Sequence, residues 1–171
     1  MPGESWESFS DSFGRLLALQ PHKIQVGVLK RLKGAPISRH IPARKMVFAD
    51  QAPYEILQTD LLDFSQLQRI KRYARYFDLY YNSGNFPRSL PLLWHTTSSP
   101  FTAFMAFSDW LWSSTRRTHE LPLAQLAGYL YEFLIRSGAD EPTTIASAIE
   151  QDFHRLPGRK EKLPFLPRRS K

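Results

Sequence analysis

Between Phe64 and Gly84 the chain reads FSQLQRIKRYARYFDLYYNSG, and its apolar positions recur at three- and four-residue steps. Leu67, Ile70, Ala74, Phe77 and Tyr81 fall on one face of an α-helix, with Arg75 on the opposite side. Ser65 stands where an N-cap is wanted, with Gln68 three residues on as in a capping box. Asn82-Ser83-Gly84 supplies the stop, since glycine takes the left-handed conformation that ends helices. The spacing therefore predicts a long central helix whose tyrosine-rich face is core packing. No other stretch has so clear a start, stripe and stop.

The remaining pattern fills in around it. Trp6, Phe9, Phe13, Leu16 and Leu17 predict a helix over residues 5–19, ended by Gln20-Pro21-His22. Ile24 to Leu29 is short and rich in β-branched residues, and is read as a strand buried on most sides. A strand directly after a helix, with no partner near it in sequence, has the pattern of a parallel α/β sheet. Only one such unit is present, so the first ~35 residues read as a piece of a larger sheet. A short helix or turn is expected over Ile37–Ala43. Met46–Phe48 and Tyr54–Thr59 are expected to pair as a minor hairpin. A short, proline-broken helix is expected over Phe86–Trp94. Ser99-Pro100 reads as N-cap and N1 of a helix carrying Phe101, Phe104, Met105, Ser108, Leu111 and Trp112, covered on two faces. Two more helices are expected from Pro122, ending at Gly138, and from Pro142, with Ile145, Ala146, Ile149 and Phe153 in register. The fold class is thus mainly α: a bundle of about five helices preceded by a helix–strand remnant.

Composition narrows the chemistry. Hydrophobic residues make up 42% of 171, enough for a real core. No apolar run reaches the ~18 residues of a membrane span and no signal-peptide pattern opens the chain, so the cytoplasm is the expected location and no membrane is expected as a partner. There is no cysteine, which removes disulfides, thiolate nucleophiles and thiolate-held metal centres from this chain. The five histidines are scattered and form no ligand pair, and no nucleotide-binding or hydrolase motif occurs. Asp60 and Asp63 sit where negative charge favours a helix N-terminus. No catalytic residue and no metal ligand is therefore named. The net charge of +7 is concentrated at the end: residues 155–171 carry seven Lys/Arg against one Glu, which reads as a solvated basic tail.

Several motifs, in order, resemble one enzyme family. Met1-Pro2-Gly3-Glu4-Ser5 looks like the end of the GLPGE(T/S) loop of radical S-adenosylmethionine enzymes, which follows the fifth strand of their partial barrel. Ile24 to Pro36 resembles their sixth strand and its GTP-like turn, with Ala35 in place of the usual threonine. Met46–Phe48, Pro53–Leu57 and Tyr80–Gly84 look like the helical C-terminal domain of cobalamin-binding members, a domain of unknown function (domain of unknown function 4080). The resemblance covers nearly the whole chain but begins after the cluster-binding CxxxCxxC loop and the cobalamin domain.

The resemblance divides the chain into a barrel remnant (residues 1–36), a helical C-terminal domain (37–156) and the basic tail (157–171). It implies the last portion of such an enzyme, from a truncated or split reading frame or an excised piece, which completes the barrel and covers its mouth. Alone the chain is expected to be inert and without a cofactor. The complete enzyme uses S-adenosylmethionine, a [4Fe–4S] cluster and cobalamin. The implied partner is the upstream part of the barrel, in the same or a separate chain; nucleic acid is not among the partners it implies. By the same resemblance, Pro2, Gly3 and Glu4, with the backbone of Lys33, Gly34, Ala35 and Pro36, help hold S-adenosylmethionine. Glycine lets a backbone approach a ligand closely, and main-chain amides read an adenine edge. The bland alternative is that both are turns and no more. A second functional reading, of a different class, is a small basic helical module that binds nucleic acid through its tail.

Overall fold

A computed structural model describes residues 2–159 together with Glu161, Leu163 and Phe165. Among these, five α-helices and one two-stranded sheet account for the regular structure: α1 (Trp6–Ala18), β1 (Val47–Phe48), β2 (Ile56–Gln58), α2 (Phe64–Phe77), α3 (Pro100–Thr115), α4 (Leu123–Ser137) and α5 (Pro142–His154). Short 3-10 turns occupy Pro36–His40 and Leu90–His95, and a π turn, Asp78–Asn82, extends α2. The chain divides into two compact units between Ala74 and Arg75.

In the first unit, Ser5 caps α1 reciprocally with Ser8, each side chain bonding the other's backbone N–H. Phe13 and Leu17 are buried, and Trp6 and Phe9 pack on a core of Met46, Ile56, Leu62, Leu67 and Ile70. Leu16, which the pattern placed on the inner stripe, lies outside at 49% exposure. β1 and β2 pair antiparallel, Val47 with Gln58 and Phe48 with Ile56, as the hairpin reading expected.

The expected strand over Ile24–Leu29 does not form. The segment has the alternation of a strand: Ile24 is buried, Val26 and Val28 are half-buried, and Gln25 and Gly27 are exposed. It is thus inward-facing on one side only, and not buried on most sides. Backbone pairing begins only at its end, where Leu29 O accepts from Ile56 N and the Arg31 N–H donates to Tyr54 O. Residues 25–28 make no backbone hydrogen bond among the described residues. Alternation decides which side chains face the core, but a ladder also needs a neighbouring strand, and the described residues offer none there.

α2 is capped two residues earlier than expected. Asp63 is the N-cap: its carboxylate accepts from Gln66 N at 2.8 Å, and Gln66 Oε1 accepts from Asp63 N at 3.0 Å. Leu62 and Leu67, flanking that cap at N′ and N4, share one core and form a hydrophobic staple. Ser65 and Gln68 are ordinary positions inside the first turns. At the other end the stop falls where expected, with Gly84 at φ +64°.

The second unit is an aromatic-rich helical core. Tyr80 packs edge-on to Phe107 at 4.9 Å, Phe77 edge-on to Phe104 at 5.2 Å, and Phe107 lies 5.2 Å from Phe133. Ser99 caps α3 by accepting from Thr102 N, and Gly138 ends α4 at φ +62°. Phe107 is fully buried beside the Phe101–Leu111 stripe, so α3 is covered on two faces as expected. Asp152 on α5 is fully buried and accepts from Arg88 N, Ser89 N and Ser89 Oγ, so one carboxylate satisfies the start of the Leu90–His95 turn.

The tail is docked at its described positions. The Arg159 guanidinium donates to Phe153 O at 3.0 Å and to Asn85 Oδ1 at 2.7 Å, capping the C-terminus of α5 with positive charge. Arg155 donates to Gly84 O. Leu163 is buried, and Phe165 stacks on Tyr131 at 4.1 Å. The expected solvated end spends its first two arginines on these contacts. Lys160, Lys162, Arg168, Arg169 and Lys171 lie outside the described residues.

Candidate functional site

The sequence-derived candidates all lie in the first unit. Pro2-Gly3-Glu4 forms the turn into α1. Gly3 sits at φ +83°, and the Arg44 guanidinium lies so close that a Cβ there would stand 3.3 Å from Nη2. Any other residue is disfavoured on both counts. The Glu4 carboxylate accepts from Ser8 Oγ at 2.6 Å and is thereby drawn onto the first turn of α1.

Lys33-Gly34-Ala35-Pro36 is a surface turn. The Ala35 N–H donates to Leu32 O at 3.1 Å, Gly34 stands at φ +77°, and Pro36 opens the 3-10 turn at N1. Nothing lies within 4 Å of a Cβ built on Gly34, so the space beside the turn is open. The amides of Lys33 and Gly34 have no backbone acceptor among the described residues. They are the kind of main-chain donors that read a flat heterocycle's edge.

Arg44 is the residue that sequence reasoning missed. Its N–H donates to His40 O, its carbonyl accepts from Asp60 N at 2.8 Å, and its guanidinium lies 3.4 Å from Asp60 Oδ2 and against Gly3. It follows directly on the turn that continues from the Pro36–His40 element, and of the two candidate segments it is the Gly3 turn that its side chain touches. No hydrogen bond joins residues 2–4 to residues 33–36 among the described residues. Nothing local marks Arg44, because its partners are 41 and 16 positions away in the chain. No group of three or more His, Cys, Asp or Glu capable of holding a metal occurs among the described residues. No helix among them is long and apolar enough to cross a membrane.

The fold and site thus define a mainly helical protein whose candidate ligand contacts are backbone turns of the first unit. Residues 44–171 match the family described as protein of unknown function (DUF4080), three quarters of the chain, and the chain belongs to that family. The match starts at Arg44, after all seven candidate cofactor residues. No curated protein and no solved structure matches the chain.

Proposed function

We propose that this chain is the C-terminal portion of a cobalamin-dependent radical S-adenosylmethionine enzyme. The helical part covers the mouth of a partial barrel to which Ile24–Leu29, no strand in this chain by itself, would add the last strand once its neighbour is present. One observation supports the reading: residues 25–28 alternate between exposed and half-buried and make no backbone hydrogen bond among the described residues, as expected of a sheet strand awaiting its neighbour. The order of the GLPGE-like and GTP-like segments and the family membership of residues 44–171 support it.

In that reading Pro2, Gly3, Glu4 and the backbone of Lys33–Pro36 form one wall of the S-adenosylmethionine pocket, with Arg44 holding the Gly3 turn in place. The residues fit a contributory wall and no more: there are backbone donors and an open turn, and no ligand for a cluster. The electron and the radical chemistry would come from the bound cofactors of the complete enzyme, none of which this chain's residues ligate. This chain's residues orient and enclose. The location is the cytoplasm, and the partner is the rest of the barrel.

The test is the coding sequence immediately upstream of this chain. A CxxxCxxC reading frame, fused or adjacent, is expected; an unrelated neighbourhood on every copy of the gene sinks the proposal. Titration of S-adenosylmethionine into the isotopically labelled chain, joined or mixed with the upstream part of the barrel, tests the wall separately, with amide shifts expected at Gly3, Glu4, Gly34 and Ala35 and none in the chain alone.

A further inference from the structure

The charge of this protein is not where its sequence total points. Between Lys30 and Lys45 there are six Lys/Arg and no Asp or Glu. Five of the six, Lys30, Arg31, Lys33, Arg39 and Lys45, are exposed and make no ion pair among the described residues; only Arg44 is paired, with Asp60. The segment is also ordered. Ile37 and Ile41 pack on the first unit's core, Met46 is buried in it, and the Arg44–His40 and Met46–Ile41 backbone bonds close the turns between them. A cationic strip held on a core is a preformed polyanion site, unlike a charged tail that must be ordered on binding.

The chemistry of the strip favours one polyanion. Arg31 N bonds Tyr54 O, which sets Tyr54, 45% exposed, at the strip's edge. An exposed aromatic residue bonded through its backbone to a run of exposed cations suits stacked bases on a phosphate backbone. A membrane surface suits it less: Ile37 and Ile41 are turned to the core, which leaves Leu32 as the one large exposed apolar side chain in the strip.

We propose that, in the chain by itself, residues 30–45 with Tyr54 form a binding site for single-stranded nucleic acid, one that includes the Lys33–Pro36 turn and is distinct from the basic tail. The experiment is fluorescence anisotropy of the full chain with labelled U12 RNA and dT12 DNA, over a salt series, with vesicles containing phosphatidylserine as a parallel arm. Binding in the micromolar range at low salt is expected, with a log–log salt slope of about −0.7 per phosphate contacted. The triple variant Lys30→Ala, Arg31→Ala, Lys33→Ala, all exposed and expected to melt as the parent does, weakens binding at least tenfold and lowers the slope by about 2. Tyr54→Leu weakens it about fivefold or more at an unchanged slope. The tail variant Arg168→Ala, Arg169→Ala, Lys171→Ala stays within twofold. Absence of binding, loss through the tail variant in place of the strip variant, or binding to vesicles but not to oligonucleotides overturns the proposal.

Discussion

Two buried polar residues show how single side chains hold this fold. Asp152 is fully buried and satisfies two backbone N–H groups and one hydroxyl of Arg88 and Ser89, 64 and 63 positions earlier in the chain. Asp152→Ala strands those donors, and a loss of about 2–4 kcal/mol is expected from urea unfolding. Tyr80 is enclosed with its hydroxyl on Leu126 O at 2.9 Å, and burial, reinforced by Tyr76 and Tyr129, pushes its ionisation well above tyrosine's usual range. Burial does the same to Tyr73. The unfolded chain loses these protons near pH ~10 while the folded chain keeps them, so the stability they lend is intact below pH ~10 and falls as the pH climbs beyond it. Tyr80→Phe costs about 1 kcal/mol at pH 8 by the lost hydrogen bond. The same variant shows a shallower decline than the parent between pH 9 and 11, and a parallel decline in the two proteins would contradict this.

Among elements, α2 separates what the sequence makes legible from what it hides. Its length, its stop at Gly84 and its apolar stripe are local properties, and periodicity finds them. Its cap is not so simple. Asp63-Gln66 and Ser65-Gln68 are both acceptable pairs by spacing, and the choice is made by Leu62 and Leu67, which staple onto the same core. Asp63→Ala should cost about 1 kcal/mol and Ser65→Ala less than about 0.5 kcal/mol. The stripe is centred one position off for a like reason. Tyr73 and Tyr80 are fully buried where Ala74 and Tyr81 are half-buried, because the hydroxyl of Tyr80 finds a carbonyl 46 residues away. Phe77→Ala, in the centre of either stripe, is expected to cost about 3–5 kcal/mol. Arg75, read as opposite-face, is exposed but bonds Thr118 O at 2.9 Å, so Arg75→Ala should cost about 1 kcal/mol or less. Of the candidate site, the two glycine turns are legible because positive φ leaves a compositional mark. Arg44 is not, since its role rests on distant partners.

In the whole molecule, a domain of the DUF4080 family follows an N-terminal segment whose residues 25–28 make no backbone hydrogen bond among the described residues, and the proposal is that they pair with the rest of a barrel. Hydrogen exchange on the full chain as a monomer measures that claim most directly. Amides of residues 25–28 lack acceptors, so they are expected to exchange within seconds to minutes. Those of residues 67–77 in α2, hydrogen-bonded along a buried face, are expected to persist for hours. Exchange at 25–28 as slow as in α2 would mean that the strand has found its partners within this chain, and would contradict the proposal that it completes a larger barrel.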